Sequence, residues 1–170
     1  ALMMVEIMGH ERMLAESRAV GSEPLESLAI AFADRLKRLA GRGVAVYHVG
    51  EMRFCLEPAG GNRAQREQFA AETVAALSGP MAFDGRAIEL APMAGLVEFD
   101  AGAVGPSDAL RMASAALHSG LGRGAALAWH DAALDAAHRR AYRLVREILP
   151  ALARGEFRLV YQPKLNLRAG

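Results

Sequence analysis

The fold of this chain is constrained most by residues 44–57, which read VAVYHVGEMRFCLE. On either side of Gly50-Glu51, every second side chain belongs to one of two sets that would point to opposite faces of a strand. This period of two is typical of half-buried β-strands. A two-residue loop that begins with Gly favours a type II′ turn, because its first central residue needs a positive φ that Gly adopts without steric cost. The stretch therefore predicts a β-hairpin with Gly50-Glu51 at its turn.

Composition limits the classes of function. The chain has 170 residues, of which 52% are hydrophobic, enough to bury one full core. Its net charge of +1 is too small to attract nucleic acid or an anionic membrane. Its longest apolar runs fall short of the roughly 18 residues that span a bilayer, so we expect no membrane contact by this segment. The single cysteine, Cys55, excludes an internal disulfide, which fits a reducing compartment such as the cytoplasm. A cytoplasmic location of this segment is also compatible with a parent protein that is anchored in a membrane upstream.

Strand and helix patterns flank the hairpin. Residues 2–7 form an apolar run suited to a buried central strand. A cap at Ser22 and an apolar stripe predict a helix that ends at Gly41, and residues 63–77 predict a second helix. Asp84-Gly85 predicts a tight turn between two further strands, with a separate strand at 92–99.

The C-terminal part of the sequence reads as two helices. Ser107 predicts the cap of a helix that continues through His118, before a strand at residues 125–129. Asp131 opens the longest helical pattern, and Pro150 is expected to bend this helix or end it near Ile148.

The hairpin, between two amphipathic helices, resembles the signature hairpin of the GGDEF family of diguanylate cyclases, which join two GTP molecules into cyclic di-GMP. The five letters of the family motif fall on Gly50, Glu51, Met52, Arg53 and Phe54. The first Gly and the last Phe are kept, whereas the two acidic positions that handle metal and nucleotide have become Met and Arg. The resemblance implies an α+β fold: a central mixed, largely antiparallel sheet of about five strands with helices on its faces.

Other active-site positions of the family are replaced as well. The Asp pair of the first strand falls on Glu6 and Met8, so one carboxylate remains. The Asn that reads guanine falls on Leu14, its Asp partner on or beside Ser22, and the phosphate-binding Lys on Leu121. We expect Met52 to lie opposite Glu6, which leaves this carboxylate without an acidic partner, because Mg²⁺ favours an octahedral shell of oxygen ligands that a thioether supplies poorly. We therefore expect these positions to be vestigial, with no catalytic, cofactor-binding or metal-binding residue among them.

Residues 155–170, GEFRLVYQPKLNLRAG, closely resemble the opening of an EAL domain. EAL domains are TIM-barrel phosphodiesterases that hydrolyse cyclic di-GMP and often follow a GGDEF domain. The resemblance thus implies three segments: a degenerate GGDEF-like domain at 1–130, a connector helix at 131–155 and a truncated EAL start at 156–170. About fifteen residues cannot close a barrel, so no phosphodiesterase site is expected in this chain.

Taken together, the resemblances predict a catalytically inactive regulatory module of a bacterial-type cyclic di-GMP signalling protein. It would couple or dimerise the adjoining EAL domain, with a second copy of the chain as a further partner. No cofactor is expected, although active relatives use Mg²⁺ and GTP. Two alternatives stay open. In the first, the cleft at the vestigial active-site positions still binds GTP or cyclic di-GMP as an effector, and Glu6, Arg53 and the Gly60-Gly61 loop motivate this hypothesis. In the second, which ranks last, the chain is an active diguanylate cyclase.

Overall fold

The computed structural model describes residues 1–8, 23–41, 43–83, 86–100 and 102–162. The sequence-predicted positions Leu14 and Ser22, and the Asp84-Gly85 turn, lie outside the described residues. The chain divides into two compact units, Ala1–Asp131 and Ala132–Gly170.

The first unit confirms the predicted α+β fold. In chain order its described elements are β1 (Leu2–Met8), α1 (Glu23–Ala40), β2 (Val46–Gly50), β3 (Arg53–Leu56), α2 (Arg63–Leu77), β4 (Gly79–Phe83), β5 (Arg86–Val97), α3 (Pro106–Gly122) and β6 (Leu127–Trp129). In the second unit, the described residues form α4 (Ala132–Ala153), followed by a turn and a segment without regular secondary structure. Among the described helices, none combines the length and the apolar content that crossing a bilayer requires.

The six described strands form one mixed sheet in the order β2-β3-β1-β5-β4, with β6 also paired to β5. The β5–β6 pair is parallel and the other pairs are antiparallel. The first strand, β1, lies in the interior of the sheet between β3 and β5, as its apolar sequence predicts. This order places the hairpin beside β1, so that residues of β1 and β3 face one another.

Helices pack on both faces of the sheet. Val5 and Ile7 of β1 point to the cluster that contains Phe32 and Leu36 of α1 and Leu77 of α2. Their neighbour Met4 points the other way and packs with the following residues of β3, β5 and α3: Cys55, Met93, Val97, Ala113 and Leu117. Because successive side chains of a strand point to opposite faces, Glu6 shares the face of Met4.

The hairpin is confirmed, but the prediction for its turn is wrong. Gly50 pairs with Arg53 as the last residue of β2, so the two-residue loop consists of Glu51 and Met52. Gly50 does not adopt a positive φ, and the type II′ assignment therefore fails. The reason is an irregularity between His48 and Gly50, which shifts the register by one residue before the turn.

Further boundaries also differ from the sequence predictions. Residues 86–97 form one strand instead of two, because Pro92 is accommodated inside β5. Helix α3 is capped by Gly105 and not by Ser107, since Pro106 occupies the first helical position, where its fixed φ is suitable. It also runs beyond His118 to Gly122. Helix α4 continues through Pro150 to Ala153, so the expected end near Ile148 is wrong.

Candidate active-site region

An ion pair between β1 and β3 lies where the resemblance places the metal and nucleotide site. Glu6 and Arg53 are directly opposite in the antiparallel register. The Arg53 Nη2 atom donates to both carboxylate oxygens of Glu6 at 2.9 and 2.8 Å, and Nε donates to Oε2 at 3.1 Å. The side chain of Glu6 is 15% exposed and that of Arg53 is 32% exposed. A forked guanidinium–carboxylate pair of this kind fixes both side chains and neutralises the carboxylate.

The sequence interpretation placed Met52 opposite Glu6, and the structure corrects it. The carbonyl oxygen of Met52 accepts a hydrogen bond from the Ile7 amide at 3.1 Å. Its side chain is buried in the cluster that contains Phe32 and Leu36, on the opposite face of the sheet from Glu6. The position that held an acidic ligand in the family therefore serves as core packing here.

The residues at this site do not fit a magnesium ion. Mg²⁺ requires oxygen ligands at about 2.0–2.1 Å in near-octahedral geometry. Glu6 is the carboxylate that the described strands present here, and a cationic guanidinium already occupies its oxygens. Within the described ranges, no group of three or more His, Cys, Asp or Glu side chains is arranged to hold a metal ion. We therefore assign no metal-dependent step to this site.

The turn of the hairpin is held by ring contacts. The His48 Nε2 atom donates to the carbonyl oxygen of Glu51 at 3.2 Å. Its ring stacks on Phe54 with centroids 5.0 Å apart, and Phe54 in turn contacts Phe32 of α1 at 5.3 Å. Phe54 is fully buried, whereas Gly50 and Glu51 are exposed. Of the five motif letters, Met52 and Phe54 thus support the core, whereas Gly50 and Glu51 face solvent.

A concave surface adjoins the hairpin between α1 and the two strands. It has a volume of about 370 Å³ and is lined by Glu26, Ala29, Ile30, Ala33, His48 and Phe54. Volumes of about 300–1,000 Å³ are usual for small-molecule sites. Its lining combines apolar side chains, an imidazole and one carboxylate, which suits a flat, partly polar ring better than a triphosphate.

Met8 and Leu121 occupy separate positions on the α3 side of the sheet. Met8 ends β1 opposite Ala91 and packs against the cluster around Met4. Leu121 lies in the last turn of α3 and is 44% exposed. An apolar side chain there carries no charge with which to offset a phosphate.

The amides that follow Gly60 at the Gly60-Gly61 loop are bound by the chain's own side chains. The Gln65 side-chain oxygen accepts from the amides of Gly61 and Asn62 at 2.9 and 3.2 Å. In return, the Asn62 side-chain oxygen accepts from the Gln65 amide at 2.9 Å. This reciprocal arrangement is a capping box at the start of α2. Three donors that an anion would need are therefore occupied by the chain itself.

A polar network at the start of α2 was missed by the sequence reasoning. Arg66 donates to Glu98 at 2.8 Å, and Arg63 lies 3.8 Å from the same carboxylate. The Arg63 guanidinium also stacks 4.1 Å above the ring of Trp129, whose indole N–H donates to Glu67 at 3.1 Å. A lone Trp at the end of a predicted strand was the available signal. The network joins α2 to the residues that follow β5 and to β6.

A second concave surface lies on the other face of the sheet. It has a volume of about 420 Å³, and its lining is almost entirely apolar, including Leu2, Tyr47, Val49, Phe99 and Leu110. Cys55 contributes to its lining and is buried. Burial raises the pKa of the Cys55 thiol to about 11, partly offset by the positive charge of Arg53. This thiol is thus a packing group at neutral pH.

Comparison with known proteins rests on structure alone. No protein-family profile and no curated protein matches the sequence. The GGDEF domain of a Pseudomonas aeruginosa protein superposes with a TM-score of 0.63 at 19% identity, covering 76% of this chain and 82% of that one. A diguanylate cyclase/phosphodiesterase from Caldicellulosiruptor saccharolyticus gives 0.58 at 20% identity, covering 72% and 69%. The active GGEEF domain of a diguanylate cyclase from Vibrio cholerae gives 0.60 at 12% identity, covering 76% and 81%.

At these identities a structural likeness establishes architecture and leaves activity open. The α+β architecture of this chain, with its multi-stranded sheet and its helices, matches that of the GGDEF domains. The chain has the fold of GGDEF domains.

Proposed function

We propose that this chain is a non-catalytic regulatory module of a cyclic di-GMP signalling protein. The observation that carries the proposal is the Glu6–Arg53 ion pair. Phosphoryl transfer between nucleotides depends on cations that stabilise charge on the transferring group. Here the carboxylate that would gather such a cation is bound by the chain's own guanidinium, and the adjoining acidic position is a buried Met52.

The activity test is direct. The chain is incubated with GTP and Mg²⁺, and the products are separated by chromatography, with an active GGEEF domain as positive control. We expect no cyclic di-GMP above the level of a blank. Formation of cyclic di-GMP by the purified chain would refute the proposal.

A matched pair of variants tests the role of Arg53. Arg53→Glu places a second carboxylate opposite Glu6, whereas Arg53→Met removes the positive charge without adding a ligand. We expect Arg53→Glu to gain Mg²⁺ binding in calorimetric titration, and we expect the parent chain and Arg53→Met to show none. Equal Mg²⁺ binding by all three proteins would mean that the ion pair does not govern the site.

The effector alternative is supported by one observation, the 370 Å³ surface beside the hairpin. In this reading a purine ring of GTP or cyclic di-GMP would lie against Ile30 and His48, with Glu26 as a hydrogen-bond acceptor. Titration of the chain with each nucleotide separates the two functions. Micromolar binding that Glu26→Gln weakens would favour the effector role, and the absence of binding favours the purely structural one.

The regulatory role requires a domain to regulate. The resemblance of residues 155–170 to the opening of an EAL domain is the support for that partner. Residues 156–162 have no regular secondary structure, and residues 163–170 lie outside the described part. The corresponding test compares the rate of cyclic di-GMP hydrolysis by a GGDEF–EAL tandem that contains this module with the rate after its removal. A change in rate supports coupling, and an unchanged rate argues against it.

The free, buried Cys55 is compatible with the cytoplasmic location that we propose.

A further inference from the structure

Helix α4 has one apolar face along most of its length. It spans 22 residues, which corresponds to about 33 Å. On a helical wheel its apolar side chains cover about 160° of the circumference. Six large ones are between 43% and 76% exposed: Tyr142, Leu144, Val145, Ile148, Leu149 and Leu152. Exposed apolar surface on this scale marks an interaction site.

The other face of α4 carries an excess of arginine. Between residues 136 and 154 the sequence holds five arginines and one glutamate, with no lysine and no aspartate. The positive charge is local, because the whole chain has a net charge of only +1. On the helical wheel Arg140 and Arg146 border the two edges of the apolar face, and Arg139 and Arg143 lie between them on the far side.

The helix itself does not account for these arginines. The helix dipole favours cations in the last turn, where α4 has no basic residue. Arg139 lies 3.8 Å from Asp135. Arg140, Arg143 and Arg146 have no acidic partner within ion-pair distance among the described residues. Their guanidinium groups are therefore available to an anion outside the helix.

A concave surface of about 630 Å³ lies where the two faces meet. It is lined by Ala136, His138, Arg139, Tyr142 and Arg143. Guanidinium groups bind phosphate oxygens in a forked geometry. A tyrosine suits the boundary between water and an apolar phase, because its ring is apolar and its hydroxyl is polar. The surface thus combines groups that match a phospholipid headgroup and the first part of its acyl chains.

The charge pattern favours a bilayer over a protein domain as the surface that covers the apolar face. A domain packed on this face would leave the polar face in water, where mixed charges of both signs serve solubility. An anionic bilayer instead attracts cations at the border of the apolar face, because long arginine side chains reach the headgroups from there. Arg140 and Arg146 occupy these border positions, and Glu147 lies away from the apolar face.

We propose that α4 lies flat on the surface of an anionic phospholipid bilayer. Its apolar side chains enter the level of the upper acyl chains, and its arginines bind the headgroup phosphates. The sequence-based expectation of no membrane contact used the charge of the whole chain and the length of apolar runs. Neither quantity governs a helix in the plane of the interface, which needs one apolar face and a cationic border and does not cross the bilayer.

This proposal goes beyond the regulatory role and does not depend on it. A chain that ignores vesicles would refute the proposal and leave the GTP and Mg²⁺ measurements unaffected.

Co-sedimentation of the chain with lipid vesicles tests the proposal. We expect binding to vesicles of phosphatidylglycerol and phosphatidylcholine in equal amounts to be at least about 10-fold stronger than binding to pure phosphatidylcholine. Raising the salt from about 0.1 to 0.5 M should weaken it, because salt screens the headgroup charge. A chain that stays in the supernatant with anionic vesicles would overturn the proposal.

Two double variants separate the α4 arginines from the charge of the chain. Arg143→Gln/Arg146→Gln removes two positive charges from α4 and should weaken vesicle binding about 10-fold or more. Lys37→Gln/Arg38→Gln removes two from the exposed surface of α1 and should bind like the parent. An equal loss in both would show that overall charge and not α4 governs binding, and would overturn the proposal.

A second matched pair tests the apolar face. Leu149→Gln changes a side chain of α4 that is 76% exposed, and Ile30→Gln changes one of α1 that is 64% exposed. The first should weaken vesicle binding and the second should not. Far-ultraviolet circular dichroism and thermal melting verify that each variant keeps its fold.

Two results would assign α4 to another partner. Binding to polyglutamate as tight as to anionic vesicles, with no effect of Leu149→Gln on either, would mean that the arginines recognise soluble polyanions. Loss of vesicle binding in a tandem chain that includes the following domain would mean that this domain covers α4. Either result would overturn the proposal.

Discussion

Arg53 and Glu6 face each other across the β1–β3 pair and are joined by hydrogen bonds of 2.8–3.1 Å. Arg53→Ala would leave a largely buried carboxylate without this partner. We expect the free energy of unfolding to fall by about 1–2 kcal/mol, because water reaches the site in part and replaces some of the lost interaction. Urea denaturation measures the change.

The double variant Glu6→Gln/Arg53→Met is the control for this prediction. It removes both charges, so no uncompensated charge remains, and it should be more stable than Arg53→Ala. If Arg53→Ala unfolds at the same urea concentration as the parent, the ion pair makes no net contribution to stability.

Gly95 of β5 lies directly beneath the backbone of α3. A Cβ atom at Gly95 would be 2.2 Å from the carbonyl oxygen of Ala113 and 2.6 Å from the amide nitrogen of Leu117. Because these are backbone atoms, relief would require α3 to move away from the sheet. We expect Gly95→Ala to destabilise the protein by about 3 kcal/mol, measured as a shift in the thermal or urea midpoint.

Gly122→Ala is the matched control for Gly95→Ala. Gly122 is the last residue of the same helix, and a Cβ there meets no atom within 4 Å. Since Ala has the higher helix propensity, this change should be neutral or slightly stabilising. Equal stability of the two variants would contradict the proposed close packing.

The raised pKa of Cys55 predicts a loss of stability at high pH. The unfolded thiol titrates near 9.0 and the folded one at about 11. Below pH 9 both states hold the proton; between pH 9 and 11 the unfolded chain releases it while the folded chain keeps it. The free energy of unfolding should therefore fall through this range, by about 2–3 kcal/mol at most.

Denaturation curves at several pH values check the Cys55 prediction. Cys55→Ala serves as the reference, because it removes the titrating group while other groups still titrate. The parent should lose more stability than this variant between pH 9 and 11. Parallel pH profiles for the two proteins would show that burial does not perturb the thiol.

The capping box of α2 gives a local prediction. Asn62→Ala removes the acceptor for the Gln65 amide and should cost about 1 kcal/mol of stability. Gln68→Ala, on the exposed surface of the same helix, loses only the 2.9 Å contact with Glu72 and should cost a few tenths of that amount. An equal loss of stability in Asn62→Ala and Gln68→Ala would mean that the capping hydrogen bond contributes no more than an exposed surface contact.

The sequence predicted local elements well where the signal was also local. The bounds of α2, residues 63–77, are the predicted ones, because the apolar stripe that predicts them lies within one helix. The division of β5 was wrong because Pro92 is normally excluded from strand interiors. Its tolerance here depends on the pairing with Ile7, which is more than 80 residues away in the sequence.

The candidate site was predicted in its location but not in its contacts. Glu6 and the hairpin were placed together from the resemblance, and the structure confirms that they are neighbours. The actual partner is Arg53 instead of Met52, because β3 pairs with β1 in the register that sets Arg53 opposite Glu6. A one-residue change of register exchanges the two faces of a strand, and no local pattern in the sequence announces it.

The position of β1 has a consequence for how the protein is made. Within the first unit this strand is synthesised before its neighbours in the sheet, β3 and β5, which reach as far as Val97. A nascent chain must therefore carry an apolar strand with two open edges until most of the first unit has left the ribosome. That interval exposes the polypeptide to misassociation, and chaperone binding at β1 during translation would offer protection.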